Sequence, residues 1–261
     1  MSYSCKKGIF LANTVTGSQL VDTGTGTEMR AVILWGTTQA VSGIGHGNMG
    51  GFYGMATANE QRAIGWADND NVKPSNNGGG YFADRVLEIY SDGVPTVDAE
   101  ANFVSFGVGA NAGKFTINWF DAPSAPYIIH YLALGGTDIT GATIKQYTAR
   151  TADGFFKETG IGFKPDLLIF VGRNPALSVG TEPDAGILFG AASSPEKQGL
   201  LWSFDTDNST IGDRGASMSD PANCLAFPTS SAGSAIESTA ALTSLDDDGF
   251  TLLWDMKASA G

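Results

Sequence analysis

The sequence predicts an all-β protein made of two tandem homologous β-sandwich (jelly-roll-like) domains with little helix. Glycine supplies 35 of the 261 residues and charged residues only 16%, a composition poor in helix formers and rich in turn formers. The apolar segments are short and end at glycines, as β-strands do. A long phrase from the first half of the chain also recurs in the second half, which indicates two related domains.

The recurring phrase is "TGTGTEMRAVILWG" (23–36) and "TGIGFKPDLLIFVG" (159–172). With a shift of 136 residues (159 − 23), residues 22–66 align with 158–202 without a gap. About 3 identities are expected by chance for this composition. Twelve are found: Thr23/Thr159, Gly24/Gly160, Gly26/Gly162, Ile33/Ile169, Gly36/Gly172, Ala40/Ala176, Ser42/Ser178, Gly50/Gly186, Gly54/Gly190, Ala56/Ala192, Glu60/Glu196 and Trp66/Trp202.

The match resumes near the end of each half and sets the domain boundaries. "ANFVSF…GKFTINW" (101–119) corresponds to "AALTSL…DGFTLLW" (240–254). We therefore predict a first sandwich with an N-terminal arm over 1–136, a linker over 137–143 and a second sandwich over 144–261. The second copy lacks a counterpart of the apolar closing strand "YIIHYLALGG". Two explanations stay open: a longer natural chain, or an open strand edge that a neighbouring subunit covers.

The strands follow from local patterns in chain order. "MRAVILWG" and "PDLLIFVG" are continuous apolar runs, which predicts strands buried on both faces and an interior Trp35. "ATANEQRAIGW" and "AASSPEKQGLLW" contain Gly65, Pro195 and Gly199, which favour a loop leading into a strand over a helix. "KFTINW" and "GFTLLW" alternate as half-buried strands do, and "DDDGF" predicts a hairpin turn between strands.

Two pairs of tryptophans recur in the copies, Trp66 with Trp202 and Trp119 with Trp254. Each lies in or beside an apolar strand, so we predict that they are the large buried anchors of each sandwich. The other interpretation is a pair of platforms on which sugar rings stack.

Composition also indicates which classes of binding partner are unfavourable. The formal net charge is −12, which disfavours binding to nucleic acid and to anionic membranes. "MSYSCKKGIFLANTV" lacks the hydrophobic region of a signal peptide, and no run approaches the roughly 18 apolar residues of a membrane helix. We expect a protein that is made in the cytoplasm. Cys5 and Cys224 are too few for a disulfide framework or a zinc cluster.

A calcium motif is suggested after the shared tryptophans. "DNDN" and "DTDNS" place Asp68, Asp70, Asp205 and Asp207 with the alternation that begins a calcium loop. The bidentate glutamate expected at the twelfth position is absent, since Gly79 and Ala216 stand there. A turn stabilised by Asx side chains is therefore favoured, and no metal or other cofactor is expected.

No catalytic constellation emerges from the remaining motifs. "GIGHGNMGG" contains G-x-G-x-x-G without the helix and βαβ unit that a dinucleotide site needs, so a loop is predicted. His46 and His130 have no counterparts in the other copy, and alternation places His130 opposite Tyr127, Ile129 and Tyr131. Three consecutive aspartates at 246–248 are expected to be a solvated turn. We therefore predict no catalytic residue and no enzyme activity.

The phrases "TGIGFKPDLLIFVG" and "DGFTLLW", with the closing strand "YIIHYLALGG", resemble a duplicated β-domain of uncharacterised bacteriophage virion or tail-associated proteins. The resemblance covers most of both halves, although Thr27 and Met29 depart from its pattern in the first copy. It implies a structural part of a virus particle, such as a decoration, tail or fibre-associated protein. The partners it implies are further copies of the chain and other virion proteins, in a particle assembled in the host cytoplasm.

Two other functional classes remain. A carbohydrate-binding adhesin or receptor-binding module would use loop aromatics such as Tyr53, Tyr81 and Tyr90 to contact a glycan. An enzyme such as a glycosidase would need two carboxylates at a suitable separation, and no pair in the sequence stands out.

Overall fold

The protein is almost entirely β. The computed structural model describes residues 3–41, 49–68, 77–91, 94–172, 180–183, 185–205, 215–228 and 236–256. Within them, the only helical element is a short 3₁₀ turn at Gly109–Asn111, so the all-β prediction is confirmed. The strands are β1 (Tyr3–Leu11), β2 (Gly17–Asp22), β3 (Met29–Gly36), β4 (Met49–Thr57), β5 (Gln61–Asp68), β6 (Asn77–Phe82), β7 (Leu87–Tyr90), β8 (Val97–Phe106), β9 (Lys114–Asp121), β10 (Ile128–Gly136), β11 (Gly154–Thr159), β12 (Leu168–Gly172), β13 (Gly180–Pro183), β14 (Ala185–Ser194), β15 (Lys197–Asp205), β16 (Gly215–Asp220), β17 (Leu225–Pro228), β18 (Ile236–Asp246) and β19 (Gly249–Met256).

These strands form four sheets, and each pairing whose register the structure describes is antiparallel. The largest sheet has seven strands in the order β1-β10-β3-β4-β5-β6-β13. The other three have four strands each, in the orders β2-β9-β8-β7, β12-β14-β15-β16 and β11-β19-β18-β17.

The chain divides into two compact units. The described residues through Lys145, with Gly180–Glu182, form unit one, and the other described residues form unit two. Unit one contains the seven-stranded sheet and β2-β9-β8-β7, and unit two contains the other two sheets. Each unit has its own apolar core, as expected where two sheets pack face to face. The described architecture is therefore β-sandwich-like.

A buried tryptophan lies in each core. Trp119 of β9 and Trp254 of β19 are 0% and 1% exposed, which confirms the prediction that they are core anchors. A buried indole N–H needs an acceptor. Trp119 donates to Oε1 of Gln19 at 2.8 Å, and Trp254 donates to the Tyr147 hydroxyl at 3.0 Å.

The alternating strands were predicted correctly, and the continuous apolar runs form strands as predicted, but not with burial on both faces. β9 and β19 bury alternate residues, and the "DDDGF" turn joins β18 to β19 with Asp246 opposite Gly249. In β3, Val32 and Leu34 are fully buried but Trp35 is half-buried on the opposite face. The expectation of burial on both faces is wrong, because the apolar core of unit one lies on one side of β3.

The repeated glycines have the same left-handed backbone conformation in each unit. Gly24 and Gly26 have φ of 70° and 64°, and Gly160 and Gly162 have φ of 81° and 85°. Residues with a Cβ rarely adopt this left-handed conformation. The carboxylate of Asp248 accepts hydrogen bonds from the N–H groups of Gly160 (3.0 Å) and Gly162 (2.6 Å), and these bonds hold its pKa below the usual value.

One predicted equivalence is wrong. The gap-free alignment pairs Trp66 with Trp202, but strand register does not. Phe52 lies opposite Gly65 across β4 and β5, whereas Leu188, the counterpart of Phe52, lies opposite Trp202. The hairpin between β14 and β15 contains one more residue than that between β4 and β5. Trp202 is consequently buried in its core at 4% exposure, while Trp66 is on the opposite face of its sheet and is not a core anchor.

Two matched glycines allow the sheets of each unit to approach closely. A Cβ at Gly54 of β4 would overlap the carbonyl oxygen of Val86, and a Cβ at Gly190 of β14 would overlap that of Cys224. The two carbonyl-bearing residues make similar backbone hydrogen bonds. The N–H of Val86 donates to Ala101, and the N–H of Cys224 donates to Ala240, each at 2.9 Å. Both units therefore use glycine for the same steric reason.

We predict that Gly54→Ala and Gly190→Ala each lower the free energy of unfolding by about 1–3 kcal/mol, the usual cost of overpacking a tight core. Chemical denaturation of the full chain, followed by tryptophan fluorescence, measures the change. Gly199→Ala is the matched control, because a Cβ there would lie 3.6 Å from its nearest neighbour. Equal stability of all three variants would contradict the close approach.

Candidate functional site

A row of large side chains crosses the outer face of the seven-stranded sheet, opposite the core. In strand register, Ile9 lies opposite His130, His130 opposite Trp35, and Trp35 opposite Tyr53. Because side chains at paired positions point to the same face of a sheet, these four lie side by side. Four adjacent strands, β1, β10, β3 and β4, thus contribute one continuous apolar and aromatic surface.

This surface lines a cleft of about 420 Å³ in unit one. Two aromatic pairs form much of it. The rings of Trp35 and His130 are stacked with centroids 5.8 Å apart and planes inclined by 14°. Those of Tyr53 and Trp66 are stacked at 5.8 Å with an inclination of 21°. We call the cleft between and beside these four rings the aromatic cleft.

A glycine leaves the space in which the Trp66 ring lies against the sheet. Gly51 lies opposite Trp66 in register, and a Cβ at Gly51 would overlap the six-membered ring of the indole. The ring can therefore lie across the neighbouring strand, where a larger residue would push it away. Burial in the cleft raises the pKa of Tyr53 above its ordinary value, so its hydroxyl stays protonated and can donate a hydrogen bond at neutral pH.

The rest of the lining is mostly apolar, and its polar side chains carry no formal charge. Thr37 and Gln39 contribute to it, and both can donate and accept hydrogen bonds through their side chains. Among the described residues that line the cleft, there is no Asp, Glu, Lys or Arg. A neutral surface is notable in a chain whose net charge is −12.

Unit two carries different residues at the equivalent positions. Val171 of β12 lies opposite Phe189 of β14, as Trp35 lies opposite Tyr53. The counterpart of Trp66 in strand register is Ser203, which follows Trp202 as Trp66 follows Gly65. Of these three positions, the described part of unit two has an aromatic side chain only at Phe189, the position of Tyr53. Stability of a sandwich of this strand order does not require the aromatic cleft.

The second candidate site is the free edge of β12. In unit one, β3 pairs with β10 on one side and β4 on the other. Its counterpart β12 pairs with β14 and is the edge strand of its sheet in the described structure. Backbone N–H and C=O groups along such an edge are available to another strand.

The composition of β12 sets it apart from the other edge strands. The four sheets have eight edge strands among the described residues: β1, β13, β2, β7, β12, β16, β11 and β17. Seven of them contain a charged residue or a proline, for example Lys6 and Lys7 in β1 and Pro228 in β17. Such residues oppose pairing between edges. β12, with the sequence "LIFVG", contains neither.

The described acidic cluster in unit one surrounds Arg85. Its guanidinium contacts Asp84 at 2.9 Å, Glu88 at 2.8 Å and also Glu100. It also lies 4.6 Å from the centroid of the Phe82 ring. Glu88 is fully buried, and desolvation raises its pKa to about 7 despite the nearby Arg85 charge. Because no part of Glu88 reaches solvent, we interpret the cluster as structural.

The predicted glycan-contact tyrosines are not brought together. Tyr53 lines the aromatic cleft. Tyr81 is 7% exposed and Tyr90 is 1% exposed, with its ring against Gly65, so neither offers a surface for a sugar ring.

The calcium candidates are only partly described. Asp68 is at the end of β5 and Asp205 at the end of β15, while Asp70 and Asp207 lie outside the described residues, as does His46. Within the described ranges, no group of His, Cys, Asp and Glu side chains is arranged to hold a metal ion. His130 is exposed on one face of its sheet, and Tyr127, Ile129 and Tyr131 are buried on the other face, as alternation predicted.

Sequence reasoning missed three of the cleft residues. Trp35 and Trp66 were assigned to the core, and His130 to an isolated strand position. Strict alternation was the available signal for Trp35, because Val32 and Leu34 define the buried face of β3 and Trp35 is out of phase with them. The meeting of Trp35 with His130 depends on strand order, which a single sequence does not reveal.

Comparisons with protein-family models, curated proteins and solved structures return no match for this chain. In the described residues, no helix is long and apolar enough to cross a bilayer.

The buried Glu88 predicts a pH dependence of stability. Its pKa is about 7 in the folded protein and 4.5 as the reference for an exposed glutamate, so between these values the folded state holds a proton that the unfolded state releases. The free energy of unfolding should therefore decrease as pH rises through this window, by up to about 1.4 kcal/mol per pH unit from this group. Urea denaturation at pH 5, 6 and 7 measures this slope in the wild type and in Glu88→Gln.

The wild type should lose stability more steeply than Glu88→Gln between pH 5 and pH 7. Parallel stability curves for the two proteins would show that Glu88 is ionised in the folded state across this range, contrary to the prediction.

Proposed function

We propose that this protein is a non-enzymatic structural component of a virus particle, a decoration, tail or fibre-associated protein that acts by assembling with further copies of itself. The resemblance of its repeated phrases to bacteriophage virion and tail-associated β-domains supports this role. The free, uncharged edge of β12 carries the proposal, because it is a backbone surface suited to another strand.

We further propose that the two units are copies of one β-sandwich fused in tandem. The sheet orders support this, since β3-β4-β5-β6 corresponds to β12-β14-β15-β16, and β2-β9-β8-β7 to β11-β19-β18-β17. Internal contacts agree with the same correspondence. Oε1 of Gln61 accepts from the N–H of Phe103, and Oε1 of Gln198 accepts from the N–H of Leu242, both at 2.7 Å. Repeated sheet order and repeated side-chain bonds are economically explained by duplication.

On this correspondence, the edge of β12 in unit two matches the edge of β3 that β10 covers in unit one. The register of β10 on β3, from Ile129 opposite Gly36 to Leu134 opposite Ala31, shows how a strand covers this edge. We infer that β12 of a second copy occupies the equivalent position in unit two. Two identical edges that pair antiparallel generate a two-fold symmetric contact, which is the commonest arrangement of soluble homo-oligomers.

The residues of β12 fit such a contact. Ile169 and Val171 are half-buried on its outer face, and Phe170 packs towards the core with its ring 5.9 Å from that of Phe250. In an antiparallel pair centred on Phe170, Ile169 of one copy would lie opposite Val171 of the other. Pairs of β-branched side chains are favourable at such positions.

We predict that the wild-type protein forms a discrete oligomer and that Val171→Lys shifts it towards the monomer. A lysine on this short edge strand would place like charges close together across the two-fold axis and oppose pairing. Size-exclusion chromatography with multi-angle light scattering, over a concentration series, measures the mass of each protein.

Leu201→Lys is the matched control. Leu201 is 51% exposed and lies on the same sheet, but its strand β15 is paired on both sides by β14 and β16. This variant should keep the wild-type mass. A monomeric wild type, or loss of the oligomer in both variants alike, would contradict assembly through β12.

The virion role itself would fail if virus particles, purified from a culture that carries the gene, lacked peptides of this chain by mass spectrometry.

A further inference from the structure

We propose that the aromatic cleft of unit one is a binding site for neutral carbohydrate, with Trp35, Tyr53 and Trp66 as the surfaces on which sugar rings stack. This site is separate from the β12 edge, and its function does not depend on assembly through that edge.

The geometry of the rings is the first support. His130, Trp35 and Tyr53 are on three adjacent strands at one register position, so their Cα atoms span roughly 10 Å, two strand spacings. The cleft is open to solvent on one side and about 420 Å³ in volume, which is in the range of small-molecule sites. An elongated ligand can therefore lie across the strands and contact more than one ring.

The chemistry of the lining is the second support. One face of a pyranose ring presents mostly C–H groups, which pack well on aromatic faces, and its hydroxyls need hydrogen-bond partners. The cleft combines both features, since Thr37, Gln39 and His130 border the aromatic rings. The absence of Asp, Glu, Lys and Arg from its described lining favours a ligand without charge, and the overall charge of −12 disfavours anionic glycans.

The comparison of the two units is the third support. Exposed aromatic side chains are not needed to build a sandwich of this strand order, since unit two has Val171 and Ser203 where unit one has Trp35 and Trp66. The outer face of unit one nevertheless keeps two large tryptophans at partly exposed positions. Gly51 also leaves space that the Trp66 ring occupies. These features create a binding surface without contributing to the core.

The test uses the variants Trp35→Val and Trp66→Ser in the full chain, because unit two tolerates these residues at the same positions. Cellohexaose, maltohexaose, chitohexaose and an array of neutral glycans are the probes, and polygalacturonate is the anionic comparison. Isothermal titration calorimetry measures affinity, and quenching of tryptophan fluorescence reports contact with the rings. We expect at least one neutral probe to bind the wild type, and each variant to weaken that binding by about tenfold or more.

Phe155→Ala is the control, because Phe155 is an aromatic residue of unit two that is 70% exposed and belongs to a different sheet from the cleft residues. It should bind the probe as the wild type does. Thermal unfolding of every variant checks that the fold is retained, and protection of wild-type tryptophans from acrylamide by the bound probe gives a readout that needs no variant. The proposal is overturned if no neutral probe binds, if polygalacturonate binds more tightly, or if Trp35→Val and Trp66→Ser bind unchanged. It is also overturned if these two variants alter the oligomeric mass, since the cleft would then be a contact between subunits.

Discussion

Burial of one face of every central strand is the constraint on which the structure depends. In both units, the inward side chains of two facing sheets surround a tryptophan, Trp119 or Trp254, whose indole N–H is satisfied by a side-chain oxygen. The tight approach at Gly54 and Gly190 follows from the same requirement, because a methyl group at either position would collide with the opposite sheet. Substitution on these inward faces is therefore costly in both units.

The outward faces and the strand edges are free of this constraint, and the two units differ there. Unit one adds β10 and β1 beside β3, and this covers an edge and brings His130 next to Trp35. In the described part of unit two, β12 is at the edge of its sheet and its sequence is uncharged. The same extra strand thus explains why the aromatic cleft is in unit one and why the free edge is in unit two. Both proposals for function rest on features outside the shared core.

Local patterns predicted much of the fold because they report local physics. The glycines at 24, 26, 160 and 162 have the positive φ that their turns require, and the alternation in β9 and β19 matches their burial. Trp66 shows where this reasoning ends. The β14–β15 hairpin has one extra residue, so the gap-free alignment sets each position of β5 beside a position of β15 that points to the other face of its sheet. The alignment by identity therefore matched an outward tryptophan with a buried one.

The candidate sites were less predictable for a related reason. The aromatic cleft depends on which strands are neighbours. β10 pairs with β3 although it lies almost a hundred positions further along the chain. Local periodicity carries no information at this sequence separation. Tyr90 was chosen as a surface aromatic, but it is 1% exposed and its ring lies against Gly65. Burial of that kind follows from packing between sheets.

Hydrogen–deuterium exchange across a dilution series tests the central claim most directly, namely that β12 is an edge that a second copy covers. The account predicts that the amides of the segment 167–172 exchange slowly at high protein concentration and faster on dilution. The amides of β1, an edge strand that carries Lys6 and Lys7, should exchange at the same rate throughout. Exchange in β12 that is fast and independent of concentration would contradict the account.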